Sequence, residues 1–200
     1  GVIVSEAGDC GYHAFGGTID AQDCEAYLCS HAAEGLGFGF CAESGGFIDA
    51  SRSNASQNGR AGMYANGGSL WAHSTTSDNN GGDGYLATNG GKIEANKEPS
   101  GAASNSYDNV GAGYRASGPG SYINCNSSLA VTNGGGGRVS EYGGAMDITS
   151  SAATSNTGVG NLAQFGGGLY GDSAVATSNT SHGFHCDVKS WANGSSWTAN

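Results

Sequence analysis

Acidic and aromatic side chains recur at one position of a repeating pattern in this sequence. Because side chains alternate between the two faces of a strand, we expect this position to point outward, and neighbouring strands would place Asp20 and Asp49 about 5 Å apart. Carboxyl groups at that separation serve as acid and nucleophile in retaining glycosidases. Trp71 lies between Asp49 and Glu94, where its ring could support a sugar. The whole row reads Asp20, Asp49, Trp71, Glu94, Asn124, Asp147, Tyr170 and Asn193.

The row predicts a glycan-binding surface, and its candidate ligand-binding residues are Trp71, Asp49, Glu94 and Tyr170. If the protein is an enzyme, the candidate catalytic carboxylates are Asp20, Asp49 and Glu94. Otherwise no residue is assigned a catalytic role. A solvent-exposed face that is acidic only for solubility is the competing interpretation, and the sequence leaves these possibilities open.

Two segments that each carry six extra residues, 22–34 and 96–108, provide a second candidate site. We expect them to project from the same edge of the fold, three repeats and about 14 Å apart, with a groove between them. Long loops on a rigid scaffold often carry function. The ligand-binding candidates around this groove are Arg52, His73, His31 and Tyr107. The alternative is that the two loops fill space or contact a neighbouring subunit.

The composition limits the partners and cofactors that this protein can use. Its 200 residues include 38 Gly but only 7 Lys and Arg, and the formal net charge is −10. Nucleic-acid binding needs clustered Lys and Arg, so it is not expected. No run of 18 apolar residues occurs, so membrane insertion is not expected either. The six cysteines lack zinc-ribbon spacing, and neither a metal site nor a cofactor is predicted.

Glycine defines the period of the repeat. A leading glycine, followed by an aromatic or apolar residue and then a small one, recurs every 22–29 residues. These glycines are Gly11, Gly39, Gly62, Gly84, Gly113, Gly137, Gly160 and Gly183. A period of this length is typical of a solenoid, in which each repeat packs on its neighbours.

Each repeat contains three short stretches with the alternation of a strand, and Gly-Gly turns separate the first from the second. Asn stands four residues before the leading glycine in six repeats, where its amide is suited to a hydrogen-bond ladder along the coil. The ladder residues are Asn58, Asn80, Asn109, Asn133, Asn156 and Asn179. This pattern predicts an all-β, right-handed parallel β-helix of about eight rungs. We expect residues 1–200 to form a single β-helix domain that is a fragment of a longer fibre.

Three stretches of the repeat, residues 39–50, 62–72 and 142–156, read GFCAESGGFIDA, GMYANGGSLWA and YGGAMDITSSAATSN. They resemble the β-helical shaft of bacteriophage tail fibres and tailspikes, and the resemblance extends from about residue 10 over nearly the whole chain. It implies a homotrimeric, host-facing fibre of the virion that binds a host-surface polysaccharide and sometimes cleaves it. No catalytic motif of that family can be matched to this chain.

The primary prediction is therefore a structural and receptor-binding shaft that contacts a host-surface glycan and has no chemistry of its own. The first alternative is a polysaccharide-degrading β-helix enzyme. The second is an adhesin or filament of the same fold at a bacterial cell surface. The absence of a basic cluster that would hold an acidic polysaccharide argues against the enzyme, since the lysines and arginines are spread along the chain.

Overall fold

The computed structural model describes residues 1–30, 37–98 and 101–199. Within these residues the chain winds through about eight successive turns, here called rungs, and forms strands but no helix. Each rung adds one strand to each of three parallel sheets, named A, B and C. The prediction of an all-β parallel β-helix with three short strands per rung is confirmed. The described residues accordingly include no helix that could cross a membrane.

The strands of each sheet follow one another in chain order. Sheet A consists of β1 (Ile3–Ser5), β4 (Glu25–Tyr27), β7 (Asn54–Ser56), β10 (Thr76–Asp78), β13 (Asn105–Tyr107), β16 (Leu129–Val131), β19 (Ala152–Thr154), β22 (Val175–Thr177) and β25 (Thr198–Ala199). Sheet B consists of β2 (Cys10–Phe15), β5 (Phe38–Glu43), β8 (Met63–Asn66), β11 (Tyr85–Thr88), β14 (Ala112–Ser117), β17 (Gly136–Glu141), β20 (Asn161–Gln164) and β23 (Phe184–Cys186). Sheet C consists of β3 (Thr18–Asp20), β6 (Phe47–Asp49), β9 (Ser69–Trp71), β12 (Lys92–Glu94), β15 (Tyr122–Asn124), β18 (Ala145–Asp147), β21 (Gly168–Tyr170) and β24 (Trp191–Asn193).

The interior of the coil is built from three columns of different side-chain size. Sheet C contributes large aliphatic residues such as Ile48, Leu70 and Ile93, all fully buried. Burial of each such side chain contributes about 1.5–3 kcal/mol. Sheet B contributes aromatic rings that stack between rungs, with the Tyr85 and Tyr114 ring centres 4.5 Å apart. From β4 to β22, sheet A contributes only Ala and Ser to the interior.

A continuous ladder of asparagine side chains runs along the corner between sheets A and B. In each step, the Nδ2 group of one Asn donates to the Oδ1 atom of the next, at distances of 2.8–3.0 Å from Asn58 to Asn179. The same Oδ1 atoms accept the backbone N–H of the preceding Asn. The ladder thus satisfies buried donors at a corner where the chain cannot form sheet hydrogen bonds.

The two glycines of the Gly-Gly turn between sheets B and C are required for different reasons. The first, such as Gly90, has a positive φ of +79°, which is strained for residues with a side chain. The second, such as Gly91, lies against the preceding rung, so that a Cβ atom would overlap the carbonyl group of Ala65. Gly91 N–H also donates to the Thr88 carbonyl at 2.8 Å, which closes a tight turn.

The first of the two predicted insertions differs from the expected placement. Residues 25–27 of the segment 22–34 form strand β4, which pairs with Asn54–Ser56. Cys29 then occupies the ladder position, and its backbone N–H donates to Asn58 Oδ1 at 3.1 Å. The additional residues therefore follow Cys29, on the other side of the sheet A strand. In the segment 96–108 they precede β13, so the extra residues of the two segments enter the chain at different points of the repeat.

Candidate functional site

The outward row of sheet C is in the predicted register. Asp20 pairs with Asp49, Asp49 with Trp71, and Trp71 with Glu94. The pairing continues through Asn124, Asp147, Tyr170 and Asn193. Trp71 and Tyr170 are 48% and 49% exposed, which leaves large parts of both rings available to a ligand. The residues of this row thus form one continuous surface.

Local hydrogen bonds hold most carboxylates of this row. Asp49 Oδ1 accepts from the Ser51 hydroxyl at 2.6 Å, and its Oδ2 atom accepts from Gln22 at 2.7 Å. Glu94 Oε2 accepts from Asn124 Nδ2 at 2.8 Å. These hydrogen bonds orient the Asp49 carboxylate toward Ser51 and Gln22, which favours a structural or binding role.

A second outward row, which the sequence analysis did not single out, runs beside the first. It reads Thr18, Phe47, Ser69, Lys92, Tyr122, Ala145, Gly168 and Trp191. Phe47 packs edge-on against Trp71, with ring centres 5.1 Å apart. Burial, with the nearby Asp147 and Glu94 carboxylates, raises the pKa of Tyr122 to about 12. The period-two alternation of each strand was the signal that could have identified this row.

Two exposed aromatic rings stand at the corner between sheets B and C. The Tyr142 and Phe165 rings are stacked with centres 5.0 Å apart, and they are 56% and 54% exposed. Both residues have a positive φ, 52° and 50°. The equivalent residue two rungs before Tyr142 is Asn89, with φ 50°. Asn tolerates this conformation far better than a bulky residue does. An exposed aromatic pair is thus retained where the backbone favours Asn.

The predicted groove between the insertions is not seen among the described residues. Arg52 makes a two-pronged ion pair with Asp23, at 2.9 Å for both contacts, and also contacts Glu98 Oε1 at 3.2 Å. The guanidinium holds the pKa of the Asp23 carboxyl below its usual value. These contacts engage Arg52, one of the residues predicted to line the groove, and the described residues enclose no pocket. The extra residues of the first segment follow Cys29 and fall mostly on 31–36, outside the described residues, so the groove stays a prediction.

Two of the remaining candidates from the groove, His73 and Tyr107, lie in different parts of the coil. The His73 ring nitrogen Nδ1 is hydrogen-bonded to Asn96 Oδ1 at the corner after sheet C. Tyr107 lies on sheet A, where it pairs with Asp78 and Val131. His31 lies outside the described residues. Arg52 N–H donates to the His73 carbonyl at 2.8 Å, so these two residues are neighbours, whereas Tyr107 lies apart from them in strand β13 of sheet A.

The outer side of sheet B carries ionisable groups of its own. Arg115 forms ion pairs with Asp83 at 3.0 Å and with Glu141 at 2.9 Å. Nearer the first rung, His13 Nε2 lies 3.0 Å from Glu43 Oε2, and the Cys41 thiol is close to both. Sequence spacing alone did not reveal this second group, because its members come from different rungs. The register partnership of His13 with Cys41 was the signal that could have found it.

Comparisons with known proteins identify the fold. No family model matches this chain, and no curated protein sequence matches it. Among solved structures, it is similar to the periplasmic alginate epimerase AlgG, with a TM-score of 0.67 and 10% sequence identity over 93% of this chain and 50% of that one. It is also similar to the A-module of the mannuronan C-5 epimerase AlgE4 of Azotobacter vinelandii, with a TM-score of 0.63 and 13% identity over 96% and 54% of the two chains. This chain thus spans about half the length of each structure, and the likeness establishes a parallel β-helix.

Proposed function

We propose that this chain binds a polysaccharide along the outer face of sheet C and the adjoining corner. The surface concerned is here called the aromatic surface and comprises Trp71, Tyr122, Tyr142, Phe165, Tyr170 and Trp191. Its rings follow one another along the rungs, and the interval of two rungs from Trp71 to Tyr122 is about 10 Å. That spacing is comparable to a disaccharide unit, so several rings can stack on successive sugars of an extended chain.

The observation that carries the proposal is the aromatic pair at the corner. Tyr142 and Phe165 occupy left-handed turn positions, and both rings remain largely exposed. Neither burial nor backbone preference accounts for an aromatic residue at these positions. Strained backbone conformations are concentrated at functional sites, and a flat exposed pair of rings is suited to stacking on the apolar face of a sugar.

The charge of the surface favours an uncharged polysaccharide. This face carries four acidic side chains, and Lys92 is the cation of the second row. The acidic residues are Asp20, Asp49, Glu94 and Asp147. The whole chain carries a formal net charge of −10. An anionic polysaccharide would be repelled by this charge, whereas stacking on a neutral glycan is insensitive to it.

A polysaccharide-modifying enzyme is the second candidate function. Both solved structures reported above are named as epimerases of alginate or mannuronan, and the register pairing of Asp20 with Asp49 supplies neighbouring carboxylates. The engaged oxygens of Asp49 and the open, pocket-free surface of the described residues favour binding over catalysis.

The narrower assignment to a phage tail fibre stays a prediction. Neither of the named solved structures is a phage protein. Trimeric assembly, attachment to a host glycan, and a location on a virion or a bacterial cell surface are likewise untested. Light scattering coupled to size-exclusion chromatography would measure the mass of the assembly, and a mass other than three chains would contradict the trimer.

Affinity electrophoresis in gels containing a neutral β-glucan, xylan or mannuronate-rich alginate tests the function. We expect retardation by a neutral polysaccharide, weakened in Trp191→Ala and in Tyr142→Asn combined with Phe165→Asn. Tyr107→Ala on sheet A is the matched control and should behave as the wild type. Retardation that all variants share, or none in any gel, would contradict the proposal.

Shortened or epimerised sugars after incubation would support the second candidate, with Asp20→Asn, Asp49→Asn and Glu94→Gln as the next variants.

A further inference from the structure

Three side chains of different ligand type converge on the outer side of sheet B. His13 in β2 and Cys41 in β5 are register partners, and Glu43 follows two residues later on the same face of β5. His13 Nε2 and Glu43 Oε2 are 3.0 Å apart. The ligand atoms of all three residues lie within 4.8 Å of one another. This convergence is separate from the aromatic surface and does not depend on the proposed function.

The surroundings hold two of these three side chains, Cys41 and Glu43, in place. Cys41 is 1% exposed and packs in a small apolar cluster with Phe38 and Ala61. Glu43 Oε1 accepts from Asn66 Nδ2 at 3.0 Å, and Asn66 Oδ1 accepts from Asn89 at 2.9 Å. A carboxylate oriented by outer amide groups is the usual arrangement around a metal ligand. The three side chains therefore need little rearrangement to converge on one ion.

We propose that His13, Cys41 and Glu43 bind one Zn²⁺ ion, with water in the fourth position. Thiolate, imidazole and carboxylate are the ligand types of protein zinc sites, with bonds of about 2.0–2.3 Å. Tetrahedral coordination at these bond lengths separates the ligand atoms by about 3.3–3.6 Å, within the limit observed here. Binding replaces the hydrogen of the Cys41 thiol, which leaves as a proton to solvent. A softer sulfur ligand disfavours Mg²⁺ and Ca²⁺ at this site.

The position of the site suggests what the ion does. His13 belongs to the first rung, whereas Cys41 and Glu43 belong to the second. An ion bound by all three would link two rungs through their side chains, in addition to the backbone hydrogen bonds of sheet B. Because a ligand that binds only the folded state stabilises it, Zn²⁺ should raise the melting temperature of the protein.

Cobalt substitution of the reduced protein tests the proposal. The experiment uses the Cys10→Ser background, because Cys10 packs against the cluster that contains Cys41 and a disulfide between the two would block the site. We expect one Co²⁺ per chain, a thiolate-to-cobalt charge-transfer band in the near ultraviolet, and displacement of that band by one equivalent of Zn²⁺. Cys41→Ser should abolish the band. Asn66→Ala should weaken Zn²⁺ binding about 10- to 100-fold, since Asn66 only positions Glu43.

The last rung supplies the matched control. His185 and Cys186 lie in β23, the final strand of sheet B, and both are exposed. His185→Ala and Cys186→Ser should retain the cobalt spectrum, the stoichiometry and the Zn²⁺-dependent rise in melting temperature. His13→Ala should lose that rise. A cobalt spectrum without the charge-transfer band, a band that survives Cys41→Ser, or a melting temperature that Zn²⁺ leaves unchanged would each overturn the proposal.

Discussion

The guanidinium group of Arg138 lies 5.5 Å from the centre of the Tyr114 ring, inside the coil. Arg138 is fully buried and occupies the column that aromatic rings fill in other rungs. Its Nη2 atom donates to the Ser128 and Ala152 carbonyls at 2.9 and 3.0 Å, and Nη1 donates to Asn161 Oδ1 at 3.3 Å. Carbonyl groups and a π face thus hold a buried cation at this level of the coil, a combination that partly offsets the large cost of removing a charge from water.

Arg138→Ala should destabilise the protein by about 3–5 kcal/mol, because it opens a cavity and leaves buried carbonyl groups without donors. Arg138→Met retains most of the side-chain volume and should cost less, about 2 kcal/mol. Urea denaturation of the three proteins measures both values. Equal losses for Ala and Met would show that packing contributes little here, contrary to this account.

The asparagine ladder should be most sensitive in its middle. Asn133 Oδ1 accepts from the backbone N–H and the side-chain amide of Asn109. Asn133→Ala leaves the Asn109 backbone N–H buried without an acceptor, whereas the side-chain amide of Asn109 still donates to the Ser77 carbonyl at 3.0 Å; the cost should be about 1–3 kcal/mol in unfolding free energy. Asn193 is exposed on sheet C, and Asn193→Ala should change stability by less than about 0.5 kcal/mol. Similar denaturation midpoints for the two variants would argue against a stabilising ladder.

The two glycines of one turn should respond differently to alanine. Gly90→Ala introduces a side chain at positive φ, with no atom within 4 Å of its Cβ, and should cost about 1–2 kcal/mol. Gly91→Ala forces the Cβ into the backbone of the preceding rung and should cost about 3 kcal/mol or more. Thermal melts monitored by circular dichroism would compare the melting temperatures of the two variants. A lower melting temperature for Gly90→Ala than for Gly91→Ala would contradict the reasons given for the two glycines.

Stability should fall steeply in alkali. Burial raises the pKa of both Tyr85 and Tyr114 above the value of about 10 in an unfolded chain. The folded protein therefore keeps two protons that the unfolded chain releases, so stability is complete below pH 10 and declines as the pH rises toward the folded pKa values. The slope should be about 3 kcal/mol per pH unit for the pair. Tyr85→Phe removes one of these two groups and should reduce the slope by about 1.4 kcal/mol per pH unit, which urea denaturation at several pH values above 10 measures.

The corner aromatics should show opposite effects on stability and on binding. Tyr142→Asn places at this turn the residue that position 89 already has, and it should retain or raise stability by about 1 kcal/mol because Asn tolerates positive φ. The same change should weaken retardation by a neutral polysaccharide. Loss of stability in Tyr142→Asn would instead indicate that the stacked rings of Tyr142 and Phe165 serve packing.

Sequence periodicity was informative where a feature repeats in every rung. The outward row from Asp20 to Asn193 and the ladder from Asn58 to Asn179 follow from a two-residue alternation and a repeated corner. Periodicity was misleading where a rung departs from the pattern. Cys29 takes the ladder position without an amide side chain, so a search for Asn in that repeat shifts the insertion to the wrong side of its strand.

The sequence by itself determined the solenoid, its period, the inward and outward faces of the strands and the glycine turns, because each depends on a local conformation that every rung repeats. Tertiary structure alone decided which side chains of different rungs meet where the contact is not repeated along the coil. Arg52 reaches Asp23 and Glu98, Tyr142 stacks on Phe165, and His13 lies beside Cys41 and Glu43. These contacts depend on the register between neighbouring rungs and on rotamers chosen by packing, and neither is encoded in the spacing along one strand.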